Sequence, residues 1–322
     1  MSFEEEFYAF LREHGISGGF TPVPITARSE AEAVAQQAEL QELVGQTSFV
    51  VEDRWRSRPE QMRSRILSHS RVFTQVYARN CELRRIDKPT AAAFLKESHD
   101  YADALCRYRY GLFLKHLTGE KQYGSAKPGA AHSTIFTSSA TTAGATVSHS
   151  AAGVSFLSPS PADSTILSHC AALEPGTLVA VAEFSNLRNL TLDGTRSRSC
   201  QWIRYASLPG VRVEGGMGKV LRGLLKDADP DDVMTYADLE WSDGRAYRAL
   251  GFEFVDYRRP VLFRIDPLTW QRTAVDSRKG LSPSHDSLFT GDTSGDSAIT
   301  SAEASPLWYL NFGSARYRLC LR

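Results

Sequence analysis

The sequence has no pair of cysteines at CxxC spacing. Its five, at 81, 106, 170, 200 and 320, are scattered over 322 residues. That scatter predicts neither a zinc site nor a disulfide framework, and reads as the reduced thiols of an intracellular chain. The eight histidines show no HxxxH or related spacing, so no metal is expected. Long apolar runs are missing too. No segment approaches the ~18 consecutive apolar residues of a membrane span, and no membrane partner is expected. There is no excess of charge of either sign: 37 Lys and Arg face 37 Asp and Glu. No global field then draws the chain to DNA or to an anionic bilayer, and only local basic patches remain for such contacts. The opening residues, "MSFEEEFYAF", are acidic where an export or organelle presequence would be basic. An intracellular compartment, cytoplasmic or nuclear, follows as the expectation.

What is present suffices for one large or two modest domains, with 42% apolar residues. Residues 1–47 read as one or two short helices, and "TSFVVEDRW" as a short buried strand. In "SRPE", Ser57 is placed to cap a helix, with Pro59 in its first turn and Glu60 completing a capping box. Met62, Ile66, Phe73, Val76 and Tyr77 fall roughly on one helical face. From Cys81 the order predicted is strand, helix, strand, strand, strand, helix, strand, helix, strand, with Asp87 capping the first helix. A mixed α/β sheet with helices on both faces fits that order. A Ser-, Thr-, Ala- and Gly-rich stretch at about 124–165 reads as a disordered insertion, and residues 276–305 as another mobile segment. "LWYLNFGSARYRLCL" closes the chain as a further strand.

The segment "RVEGGMGKVLRGLL", residues 212–225, puts three glycines at the mouth of a helix. Gly215, Gly216 and Gly218 precede Met217, Val220, Leu221, Leu224 and Leu225, which have the spacing of a buried stripe. At a helix start the first N–H groups lack partners and the macrodipole favours an anion. The segment therefore reads either as a pyrophosphate cradle or as a tight turn. A Walker loop fails, because Val213 and Val220 stand where Gly and Ser or Thr belong. The GxGxxG fingerprint fails for want of its third glycine.

The run from "RYASLPGVRVEGGMGKVLRGLL" through "DVMTYADLEWSDGRAYRALGF" resembles the core of the GCN5-related N-acetyltransferase superfamily. There a strand ends near a Pro before a (Q/R)-x-x-G-x-(G/A) turn and a helix, and a later short helix carries Tyr before "LGF". Val213 stands where Gln or Arg is usual, with Arg212 adjacent. Over about residues 48–265 the chain is also similar to the acetyltransferase-like region that trails very-short-patch-repair-like nucleases in phage and mobile-element homing endonucleases. The resemblance implies a GNAT-like domain over 79–275. It is preceded by a helical extension, 1–78, that is the remnant of a lost nuclease, and followed by a low-complexity tail, 276–322. On this view Glu52 and Asp53 are remnants of that nuclease rather than metal ligands.

The cofactor implied is acetyl-CoA or another acyl-CoA. Its pyrophosphate would lie on the amides of residues 214–219, and its pantetheine in a splayed gap between the strands around 202–208 and 233–239. The cofactor contacts implied are Leu208, Val213, Glu214, Gly215, Gly216, Met217, Gly218, Lys219 and Ser242, with Arg212 and Arg222 adding charge. Acyl transfer to an amine needs a base, a carbonyl-polarising donor and an acid for the leaving thiolate. The superfamily takes its acid from the Tyr of the "Y-x-x-L-G-F" element, which is Tyr247 here. Glu183 and Asp238 lie on strands flanking the acceptor and stand as bases, with an amide near Ser207 as donor. His99 follows the first helix of the domain and is a further proton acceptor. Each has a bland alternative: Tyr247 as packing, Asp238 pinning a turn with Ser242, Glu183 as an exposed strand residue, His99 as a surface residue.

Two hypotheses follow. One is an acyl-CoA-dependent N-acyltransferase acting on a small-molecule or protein amine. The other is a catalytically inactive GNAT-like module that associates with nucleic acid. Its basic segments would be residues 54–65 and 107–109, where Arg107 and Arg109 alternate with Tyr108 and Tyr110.

Overall fold

A computed structural model of the chain describes residues 1–99, 104–116, 122–123, 173–192, 194–275 and 305–322. The two stretches expected to lack order, about 124–165 and 276–305, fall outside the described residues apart from Ser305.

The N-terminal segment holds α1 (Phe3–Glu13), β1 (Phe20–Val23), α2 (Glu30–Leu40), β2 (Ser48–Val51), α3 (Glu52–Ser57), α4 (Pro59–His69) and β3 (Phe73–Tyr77). A capping box starts α1: the Ser2 hydroxyl accepts from Glu5 N–H, and the Glu5 carboxylate accepts from Ser2 N–H at 2.7 Å. Phe3, Phe7 and Phe10 recur on one face of α1 and meet Trp55 of α3, with ring centroids 5.7–6.1 Å apart. Burying each such ring contributes roughly 2–3 kcal/mol. The cluster reaches forward to Trp241.

After β3 come β4 (Cys81–Arg85), α5 (Lys88–Ser98), β5 (Tyr108–Leu114), β6 (Gln122–Tyr123), β7 (Leu178–Phe184), β8 (Arg188–Leu192), β9 (Thr195–Ser207) and β10 (Val211–Glu214). Then follow α6 (Gly216–Ala228), β11 (Asp232–Asp238), α7 (Arg245–Arg248), β12 (Glu253–Arg258), β13 (Leu262–Ile265), β14 (Arg272–Ala274), β15 (Leu307–Leu310) and β16 (Ser314–Cys320). Asp87 caps α5 by accepting from Thr90 N–H at 2.9 Å.

The main sheet has eight strands, in the order β12-β16-β11-β9-β7-β5-β4, with β8 as a hairpin on β9. It is mixed: β9 and β11 run parallel, and the other neighbours are antiparallel. The run LVAVAEF of β7 is apolar on both sides because both faces are covered. On one face, Ala91 and Leu95 of α5 pack on Val181 and Ala206. On the other, Val220, Leu221 and Leu224 of α6 pack on Ala180, Ala182, Phe184 and Trp202. This bears out a mixed sheet with helices on both faces. A smaller sheet, β10-β3-β6, carries the strand that leads into α6, and β13, β14 and β15 form another.

Several local expectations are corrected. Residues 52–55 are helical rather than strand. Ser57 does not cap α4, since it ends α3 and its hydroxyl donates to Asp53 O at 2.6 Å. Residues 73–77 are a strand: α4 stops at His69, and Arg71 takes φ 65°. The last residues form two strands, and β16 lies between β11 and β12, within the sheet built by residues 81–258. Among the described residues, no helix is long and apolar enough to cross a membrane.

Candidate functional site

The site begins where two parallel strands part. β9 and β11 pair only from Ser199 to Gln201 against Asp232 to Met234. Beyond that point β9 stays with β7 to Ser207, and β11 stays with β16 to Asp238. A bulge helps to turn β9 aside: Glu183 faces Arg204 and Phe184 faces Trp202, so Ile203 is the extra residue. Thr235 then bonds Trp202 O through its hydroxyl, at 3.2 Å, at the fork. Antiparallel residues alternate in the side to which they turn N–H and C=O. Leu208 N–H donates to Val179 O, so Ala206 and Arg204 also face β7, while Ser207 and Tyr205 face the gap.

The glycine turn stands at the wide end of this gap. Gly215 precedes α6 with φ 74°, a left-handed conformation that favours glycine. Gly216 has a different reason. A Cβ there would fall 2.2 Å from the hydroxyl of Tyr205. Gly218 has neither constraint, since a Cβ would make only ordinary contacts with Arg222 and Leu250. Among the described residues, the amides of Gly216, Met217 and Gly218 have no acceptor, and no side chain caps α6. The turn is held from outside by the N-terminal segment. β3 pairs in parallel with β10, and Ser64 accepts from Gly210 N–H at 3.2 Å.

The side chains implied as cofactor contacts separate here. Val213 is buried in the main core, and Met217 and Leu208 pack against it. Glu214 is ion-paired with Arg212 at 2.8 Å beside the turn. Lys219 points away from the amides: its ammonium donates to Ala78 O at 2.8 Å and Cys81 O at 2.5 Å. Ser242 is exposed, and its hydroxyl accepts from Gly244 N–H.

Tyr247 sits at the fork, among Trp202, Phe252 and Tyr317, with ring centroids 5.8–6.1 Å away. Burial raises its pKa, with the Thr235 hydroxyl opposing, so the phenol stays protonated at neutral pH. The narrow end of the gap is thus packed with aromatic rings. Asp238 ends β11. One carboxylate oxygen accepts from Glu240 N–H at 3.0 Å, and its carbonyl accepts from Ser242 N–H.

Glu183 is fully buried rather than an exposed strand residue. Its oxygens meet Arg109 at 3.3 Å and Arg204 at 3.5 Å, and the Cys106 thiol at 3.4 Å. It lies on the α5 side of β7, with Val181, whereas α6 covers the opposite side. Arg109 is therefore taken by Glu183 and does not present a basic face. His99 ends α5, where its carbonyl accepts from Arg58. The arginines of residues 54–65 are also engaged inside the fold. Arg56 pairs with Glu52, Arg63 lies over Trp55, and Arg65 lies over Trp241 at 4.1 Å. Asp53 is buried against Arg272, with two contacts of 2.6 and 2.7 Å. Among the described residues, no group of three or more His, Cys, Asp or Glu side chains is placed to hold a metal ion.

One residue at the mouth has no counterpart in the sequence reading. The Tyr205 hydroxyl is buried against Gly216, with Ser207 near enough to influence it but outside hydrogen-bond geometry. Burial lifts its pKa to about 12, with Ser207 opposing. The available signal was the strand parity that turns Tyr205 toward the helix start, which only the register of β7 and β9 makes visible.

No model of a known protein family matches the chain, and no curated protein matches it.

Proposed function

We propose that the protein is an acyl-CoA-dependent N-acyltransferase that moves an acetyl or related acyl group to an amine, on a GNAT-like scaffold. The observation that carries this reading is the parting of β9 from β11 after Gln201 and Met234, with the Tyr247 phenol at the fork and the unpartnered start of α6 at the wide end. A thioester arm lying between the strands would find backbone groups of Tyr205 and Ser207 along its length. Its diphosphate would take the amides of Gly216 to Gly218.

In this reading the amine nitrogen attacks the thioester carbonyl, the C–S bond breaks, and Tyr247 supplies the proton to the departing thiolate. Asp238, on the strand that borders the gap, accepts the amine's proton in preference to Glu183, whose two oxygens are held by arginines. That engagement of Glu183 favours one second reading, a scaffold that binds acyl-CoA without transferring the acyl group.

Calorimetric titration with acetyl-CoA tests the proposal. Micromolar binding is expected, and Gly218→Asp should abolish it. The Cβ fits at that position and an acid in the first turn suits the helix dipole, so the variant should fold. Binding without thiol release in the presence of amines supports the second reading. Absence of binding removes both.

A further inference from the structure

A basic feature runs along α6 from its first turn toward its C-terminus. Lys219, Arg222 and Lys226 stand at i, i+3 and i+7, a row about 10 Å long at 1.5 Å per residue. Arg79 lies across from them on the turn Ala78–Asn80. Between them runs a groove of about 380 Å³, with Ala78, Leu83 and Gly223 as its floor. Gly223 makes that floor: a Cβ there would fall 2.3 Å from the Leu83 side chain, so α6 lies directly on β4.

The cations are only partly compensated. Lys219 is held by two carbonyls; burial lowers its pKa, Lys115 and Arg222 lower it further, and Cys81 and Glu82 oppose. Arg79, Arg222, Lys226 and Lys115 are exposed, and among the described residues none forms a salt bridge, although Glu82 is close enough to Lys115 to feel its charge. The nearby carboxylates are already engaged. Glu82 pairs with Arg84 at 2.6 Å. Asp227 pairs with Arg85 at 3.5 Å and accepts the Tyr110 hydroxyl at 2.8 Å. A chain with no net charge thus gathers like charges along one track, at an electrostatic cost that an anionic ligand would relieve. The track is linear and recessed. That shape suits successive phosphates of one strand better than the flat headgroup plane of a bilayer.

We propose that this groove binds the phosphodiester backbone of a nucleic acid, through Arg79, Lys219, Arg222 and Lys226. The groove meets the acyl-CoA site at Arg222, whose guanidinium lies beside Gly218, and leaves it toward Lys226, about 15 Å along the helix from Gly216.

The test is fluorescence anisotropy with a labelled DNA of about 20 nucleotides, single-stranded and duplex, titrated from about 50 to 300 mM salt. The comparison is wild type against Arg79→Gln/Lys226→Gln, both exposed positions. The double variant should bind more weakly, and the slope of log K against log salt should shrink by roughly 1.4–1.8, for two lost phosphate contacts. Its affinity for acetyl-CoA should not change. Undetectable DNA binding at the lowest salt overturns the proposal, as does an unaltered slope. Displacement of the DNA by micromolar 3′,5′-ADP would reassign the groove to a mononucleotide phosphate. Groove-dependent sedimentation with phosphatidylserine vesicles would reassign it to a membrane surface. Either result also overturns it.

Discussion

Replacing Tyr205 by Phe separates a ligand-binding hydroxyl from a mere plug. In the free protein this hydroxyl is buried and set against Gly216 at the start of α6, with Ser207 beside it but outside hydrogen-bond geometry. A buried hydroxyl without a partner costs about 1–3 kcal/mol. Phe keeps the ring and its packing near Trp202, at 6.2 Å between centroids, and removes only the unmet group. Tyr205→Phe should therefore raise the unfolding free energy by about 1 kcal/mol, read as a higher urea midpoint at constant m-value. If the hydroxyl instead waits for a diphosphate, it donates a charge-assisted bond in the complex, worth about 1.5–3 kcal/mol. The same variant should then bind acetyl-CoA roughly tenfold to a hundredfold more weakly in calorimetry. Stability up and affinity down is the joint signature. Stability up with affinity unchanged or improved would refute the reasoning, because Tyr205 would then be an obstruction.

Three other expectations follow from named contacts. Glu240 is buried, its carboxylate accepts the Tyr309 hydroxyl at 2.7 Å, and burial followed by the Asp238 charge raises its pKa from 4.5 to about 7, against the opposing pull of Arg272. A raised folded-state pKa contributes stability that is fully present below about pH 4.5 and lost as pH rises through about 7, on the order of 3 kcal/mol. His69, lowered to about 4 by burial and then by Arg65, acts with the opposite slope, so the difference between wild type and Glu240→Gln is what denaturant titrations should follow. A difference that stays flat between pH 4.5 and 7 would refute the assignment. Gly244 has φ 76°, and a Cβ there would lie 2.2–2.5 Å from a Tyr317 ring held by Arg248 and Asp243. Gly244→Ala should lower stability by roughly 2–4 kcal/mol in the same assay, and a neutral result would mean that α7 shifts freely. Tyr247→Phe should reduce kcat by about 100-fold or more while acetyl-CoA affinity holds, and an unchanged rate would exclude Tyr247 as the acid.

How much of this was legible depends on the range over which each feature is decided. The Asp87 cap, the alternation of "DVMTYAD" and the stripe of α6 are settled within one turn or one strand, and they read directly from neighbouring residues. Ser57 shows where local reading fails. Its side chain had two nearby uses, as a cap for α4 or a bond to Asp53 O, and the start of α3 directly after strand β2 selected the second. The charge of Glu183 was visible, but its arginines were not, because Arg109 and Arg204 reach it only through the registers of β5 and β9 on β7. The basic segment 54–65 reads as a nucleic-acid contact for the same reason: the aromatic rings beneath its guanidiniums include Trp241, far along the chain.

By itself the sequence determined the class of the sheet, the helices that cover it, and a glycine-bearing helix start suited to an anion. Only the tertiary structure decided that β9 and β11 part, that Tyr205 meets Gly216, and that cations gather beside α6 rather than near residues 54–65. Periodicity and capping act between residues a few positions apart. Strand register and charge compensation are set by groups that become neighbours only when the chain is folded.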